Sequence, residues 1–162
     1  MKVRAVVESD WDSIIKIQAE AYHDGVVESI DVLKSKSLVS PKTCFVCESK
    51  DGEIAGYLLS HPWDSPTPPK LFQPLTKVSG QHQHFIHDMA VSSKAQGQGV
   101  GRLLTNKVFE FTQRQGVKRI NLVAVQGSSS YWSSLGFAPL DSNDVSSTYG
   151  DDAALMEMQL SN

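Results

Sequence analysis

Three glycines stand at alternating positions, Gly97, Gly99 and Gly101, in the run A95-Q-G-Q-G-V-G-R-L-L104, directly before a segment of helical periodicity. Glycine in a helix interior costs roughly 1 kcal/mol relative to alanine, so three of them at a helix mouth ask for a reason. Without Cβ atoms, the N–H groups that a helix start leaves free lie open to a ligand, and the helix start favours negative charge. A pyrophosphate is the natural occupant. A glycine-rich turn that packs a helix closely on a sheet is the plain alternative. The run lacks the Lys-Ser/Thr ending of a nucleotide triphosphate loop and does not match the spacing of a dinucleotide fingerprint.

The other chemically capable stretch lies just upstream, H84-F-I-H-D-M-A-V91. A histidine exchanges protons near neutrality, which makes His87 a candidate base. Strand alternation predicts Phe85, His87, Met89 and Val91 on one face and His84, Ile86, Asp88 and Ala90 on the other. Asp88 then points away from His87 and suits either a cationic acceptor or a structural hydrogen bond. His82, His84 and Asp88 lie close in sequence, but the spacing alone does not make a ligand set, and no metal is assigned. Cys44 and Cys47 read as small buried hydrophobes on opposite faces of a strand.

Several elements must position these groups. Val3, Ala5 and Val7 suggest an opening strand, followed by a helix over 14–21 capped by Ser9 or Asp10. A second helix includes Ile30, Leu33 and Leu38 and closes before Pro41. Residues 43–48 and 54–60 form a hairpin around K50-D-G-E53. The stretch 61–74 carries five prolines and reads as a loop, with Trp63, Leu71 and Phe72 either lining a substrate lid or pinning the loop down. A strand over 84–91 leads through the glycine run to a helix over 102–113, with Leu103, Leu104, Val108 and Phe111 on its buried side. Strand 118–125, a short helix over 128–134 and a terminal strand over 153–160 complete the chain. This order predicts an α/β fold: a mixed, mostly antiparallel sheet flanked by helices in a single domain over 1–162.

The formal net charge is -3, from 15 basic and 18 acidic residues, which argues against a broad nucleic-acid footprint. No signal-peptide core opens the chain, and no apolar run approaches the roughly 20 residues of a bilayer span, so a cytoplasmic, non-membrane protein is the expectation.

The wider stretch H87-D-M-A-V-S-S-K-A-Q-G-Q-G-V-G-R-L-L104 resembles the GCN5-related N-acetyltransferase (GNAT) family, with Gln96, Gly99 and Gly101 at the positions of its phosphate signature. Y131-W-S-S-L-G-F137 looks like a second landmark of that family. The resemblance implies the acyl-CoA N-acyltransferase fold and acetyl-CoA as cofactor. It implies that Met89, Ala90 and Val91 hold the pantetheine arm, and that the turn Gln96, Gly97, Gln98, Gly99, Val100, Gly101 and Arg102 holds the pyrophosphate. Direct attack by an amine on the bound thioester follows, with His87 as base. The family's acidic tyrosine position is filled by Trp132, so either the adjacent Tyr131 is reoriented as the acid, or solvent protonates the thiolate, or the mechanism has lost a defined acid; Trp132 has a place along the cofactor or in the core. Tyr22, His61, Asp88 and Tyr149 are the expected acceptor-side residues.

The function that follows is acetyl transfer to the primary amine of a small molecule. A protein or peptide acceptor is the enzymatic alternative, and a non-catalytic acyl-CoA-binding sensory protein the other. Sheet edges or the proline loop offer surfaces for a homodimer, and the sequence specifies neither.

Overall fold

The computed structural model describes residues 1–78, 80–141 and 145–160. In chain order the first half gives β1 (Lys2–Ala5), α1 (Trp11–Ala21), α2 (Ile30–Val39), β2 (Cys44–Glu48) and β3 (Ile54–Pro62). The second half gives β4 (Gln83–Val91), α3 (Val100–Arg114), β5 (Arg119–Ala124), α4 (Ser129–Ser134), β6 (Ala138–Pro139) and β7 (Ala154–Gln159). The strands make one seven-stranded mixed sheet in the order β1-β2-β3-β4-β5-β7-β6. All pairs are antiparallel except β4 and β5.

Alternation along the central strands feeds two layers of helix. Leu58, Ile86, Ile120, Leu122 and Met156 pack toward Val100, Leu104 and Val108 of α3 and toward Trp132 of α4. Tyr57, Leu59 and Ala90 pack on the other face against Trp11, Ile14 and Ile17 of α1 and Leu33 of α2. Each fully buried aliphatic side chain contributes roughly 1.5–3 kcal/mol. Cys44 and Cys47 are buried, unbridged and divided between the two layers, as strand alternation requires.

Two helices turn differently from their hydrophobic pattern. Leu103 is 40% exposed, and α3 buries Thr105 and Thr112 alongside Leu104 and Val108. Both threonines keep their hydroxyls satisfied within the helix, on Gly101 O (2.7 Å) and Val108 O (2.8 Å). In α2, Leu38 is 80% exposed while Lys36 is buried. Ser29 caps that helix, its hydroxyl accepting from Val32 N–H. Asp10 precedes α1 without capping it; its carboxylate takes Val7 N–H and the Arg4 guanidinium instead.

β4 departs from simple alternation at His87. Leu59 pairs with Asp88 but Ser60 pairs with Ile86, so His87 is an extra residue opposite β3. Such a bulge re-aims side chains. It corrects the alternation expected from sequence: His87 and Asp88 both emerge on the α1/α2 side, whereas Ile86 and Met89 join the α3 side. On the opposite edge, β4 pairs with β5 only as far as Ile86↔Leu122. Beyond that point the two strands part, and β5 continues with β7.

Candidate active site

The glycine turn occupies the mouth of this fork. Gly97 and Gly99 take positive φ, 78° and 77°, and a Cβ on either would meet nothing within 4 Å. Their conformations turn the chain into α3 so that the N–H groups of Val100, Gly101 and Arg102 find no acceptor among the described residues. Gly101 differs: its φ is ordinary, but a Cβ there would collide with the Tyr131 hydroxyl. Free amides, a helix start and an unobstructed backbone suit a phosphate-bearing group.

A cavity of about 640 Å³ extends from this turn into the fork and reaches His87 and Asp88. The turn residues expected to hold the cofactor border it, with the exception of Gln98. Met89, Ala90 and Val91 border it too, but two of their carbonyls already have partners. Met89 O accepts from the Tyr22 hydroxyl at 2.7 Å, and Val91 O from Gln96 Nε2 at 3.1 Å. The Gln96 side chain thus braces the loop from beneath. Tyr131 and Trp132 both line the cavity, by different routes. Trp132 is buried edge-on against Phe137, at 5.5 Å between ring centroids, while Tyr131 is 41% exposed and lays its hydroxyl along the α3 start.

On the α1/α2 side, His87 Nε2 lies 2.6 Å from Glu28 Oε1, with both side chains buried. Glu28 precedes α2, and its backbone is clamped by Gln18 of α1: Gln18 Nε2 donates to Glu28 O (3.0 Å) and Glu28 N–H to Gln18 Oε1 (2.9 Å). Its second oxygen accepts Phe72 N–H at 2.9 Å. Burial pushes the Glu28 carboxyl up, but His87, the Phe72 N–H and Lys36 outweigh it and leave the group below its ordinary value. Nothing in the sequence pattern around V26-V-E-S29 signals this role; only the bulge in β4 and the Gln18 clamp bring Glu28 to His87.

Asp88 is also buried, and burial pushes its carboxyl up to about 6 even though the Tyr57 hydroxyl donates to it at 2.7 Å. Tyr22 and Tyr149, expected on the acceptor side, border the cavity. His61 does not border it. It is fully buried beside His87, ring centroids 6.4 Å apart, and burial holds its pKa well below the ordinary value. Leu71 of the proline loop joins Val26 and Tyr149 in a separate apolar cluster, and Tyr149 hydrogen-bonds Pro69 O across it. Trp63 donates to Thr67 O (2.8 Å) and pins the loop internally.

The family model for the "Acetyltransferase (GNAT) family" matches residues 11–137. The chain belongs to this family. Among curated proteins, sequence comparison finds no match. Solved structures share the GNAT fold over nearly the whole chain. The ribosomal-protein-S18-alanine N-acetyltransferase of Escherichia coli superposes with TM-score 0.73 at 17% identity, covering 99% of this chain and 94% of that one. Rv2747 of Mycobacterium tuberculosis, solved with CoA, gives 0.74 at 14%, covering 99% and 100%. Chaetomium thermophilum Naa20, solved with a bisubstrate analogue, gives 0.72 at 18%, covering 99% and 87%. As a GNAT protein, the chain gathers its glycine turn, its strand fork and His87 around one cavity. Among the described residues no helix is long and apolar enough to cross a membrane.

Proposed function

We propose that the protein transfers an acetyl group from acetyl-CoA to the primary amine of a small molecule. The observation that carries this reading is the continuity of one cavity from the unobstructed amides at the α3 start to His87 and Asp88. When bound, acetyl-CoA supplies a thioester carbonyl for attack and a thiolate leaving group. The N–H groups of Val100, Gly101 and Arg102 are the proposed pyrophosphate donors, with the positive charge of Arg102 alongside. His87 takes the proton released by the attacking amine through a relaying water, since its side chain is wholly buried. Tyr131 presents its protonated hydroxyl beside Gly101 and is the proposed donor to a departing sulfur.

A compact acceptor is favoured by the wall on the acceptor side. Val26, Leu71 and Tyr149 pack together there, and Leu71 N–H donates to Thr148 Oγ1 at 3.3 Å. These contacts tie the proline loop to the loop before β7 along the cavity wall.

The test is calorimetric titration with acetyl-CoA, followed by thiol-release assays against a panel of small primary amines and a panel of N-terminal peptides. Saturable acetyl-CoA binding with turnover of amines alone is the expected result. Turnover of peptides alone would replace the acceptor assignment, and absence of binding by folded protein would sink the acetyltransferase reading.

A further inference from the structure

We propose that Glu28 is a positioning residue for His87: it fixes the imidazole with Nε2 protonated and so turns the Nδ1 lone pair into the role of proton acceptor. This inference rests on the reading of His87 as the base.

The hydrogen-bond inventory around the ring leaves one consistent arrangement. Glu28 Oε2 accepts a backbone N–H from Phe72, which a carboxylate oxygen does, and Oε1 faces His87 Nε2 at 2.6 Å. With Glu28 ionised, Nε2 must donate. In a neutral ring Nδ1 then carries a lone pair and no proton. That atom has no partner among the described residues, and the His87 side chain has no exposed surface, so His87 meets the cavity through its backbone while Nδ1 is sealed from the open space.

Neighbouring groups do not fill the gap. His61 packs beside His87, but its Nδ1 stands 3.0 Å from Pro62 O, which can only accept, so its proton is committed there. Its own Nε2 is the other buried ring nitrogen without a partner. The Lys36 ammonium is turned to Gln73 O at 3.4 Å. Tyr57 donates to Asp88 and Tyr22 to Met89 O. With the ring sealed from the open space, a donor for His87 Nδ1 has to be a buried water that relays a proton from an acceptor amine.

The local backbone supports the same assignment. His87 is the bulged residue of β4, and bulges gather where a strand re-aims a functional side chain. Glu28 is held from three sides, by Gln18, by His87 and by the N–H of Phe72, a non-glycine residue at φ 68°. A strained residue that presents its N–H to a buried carboxylate fits a site built for position. In the step itself one amine N–H bond breaks with its electron pair left on nitrogen, the proton passes to the relaying water, and that water gives one of its own protons to Nδ1. The resulting imidazolium sits against the Glu28 carboxylate until the proton passes to water.

The experiment joins nitrogen-15 NMR of His87 in the ligand-free protein to kinetics of Glu28→Gln, which preserves size and an acceptor for Phe72 N–H. His87 is assigned by difference from His87→Gln. The expected result is an unprotonated Nδ1 and a protonated Nε2 in the wild type, with that preference lost in Glu28→Gln. Its kcat should fall by about 100-fold or more, within the range of general-base catalysis, while the acetyl-CoA Kd stays within about twofold and the protein remains folded. Protonated Nδ1 in the wild type, or a Glu28→Gln protein with unchanged tautomer and kcat, would overturn the proposal. Should His87→Gln keep full kcat, the base reading fails by itself, while the measured tautomer still reports whether Glu28 sets the ring.

Discussion

A Cβ on Gly101 would collide with the hydroxyl of Tyr131 and approach Met89 Cε to 3.2 Å, whereas a Cβ on Gly99, two residues earlier, would meet open space. The two glycines are therefore required for different reasons. Gly99 is needed for its backbone, at φ 77°, and Gly101 for the volume its side chain leaves empty.

Gly99→Ala should destabilise the fold by about 1–2 kcal/mol through left-handed strain. For a chain of this size that lowers the melting temperature by a few degrees per kcal/mol. Gly101→Ala should leave the melting temperature near or above wild type, since alanine is the better helix former. Its acetyl-CoA affinity should nevertheless weaken by about tenfold, or roughly 1.4 kcal/mol. Thermal melts beside calorimetry separate the two. Equal loss of stability in both variants would contradict the distinction.

The glycine turn, the hairpin and the order of strands and helices were legible because each has a local cause: turn chemistry, period-2 alternation, or a helix start. What was not legible depends on partners far away in sequence. A bulge at His87 inverts the face of Asp88, and no pattern within H84–V91 announces it. Glu28 reaches His87 across 59 positions and is held by Gln18, so it carries no spacing signal. Leu38 and Leu103 look like core residues in a helical pattern, yet Lys36 and Thr105 take the inward positions because tertiary packing overrides hydropathy there.

Asp88 should make the protein less stable as pH rises. Its folded pKa of about 6 lies above the ordinary carboxylate value near 3.9, so the native state holds a proton that the unfolded state has lost. Its contribution is fully present below about pH 3.9 and is lost as pH climbs through about 6, an effect of roughly 2–3 kcal/mol. Asp88→Asn keeps an acceptor for Tyr57 and removes the titration. The stability of wild type relative to this variant, from urea midpoints between pH 4 and 7, should decline with pH. A flat difference would show that Asp88 does not titrate in that window.

Asp10 should show the opposite sign. Burial raises its carboxyl, but the Arg4 pair and Val7 N–H outweigh burial and leave it below the ordinary value. Arg4 donates to both Asp10 oxygens, at 2.7 and 2.9 Å, and to Glu48 at 2.8 Å, joining β1 to the start of α1 and to β2. Arg4→Ala strands a buried carboxylate and should cost about 2 kcal/mol near neutral pH. Because the Asp10 contribution exists above the ordinary carboxylate pKa and is lost as pH falls through the lower folded value, the gap between wild type and Arg4→Ala should close in acid. Denaturant midpoints at pH 7 and pH 3 test this; a gap that persists unchanged would remove Asp10 as its origin.

Tyr149 tests whether the acceptor side is a wall. Its hydroxyl donates to Pro69 O, and its ring packs with Leu71 and Val26 at the end of the cavity away from the glycine turn. Tyr149→Phe keeps the ring and removes the tie, worth about 1 kcal/mol. If the proline loop closes the acceptor pocket, KM for the amine should rise about fivefold while the acetyl-CoA Kd holds. Leu71→Ala, which removes apolar contact rather than the tie, should act in the same direction. A parallel loss of acetyl-CoA binding in both variants would mean that the loop supports the whole cavity, and the case for a compact acceptor would fall with it.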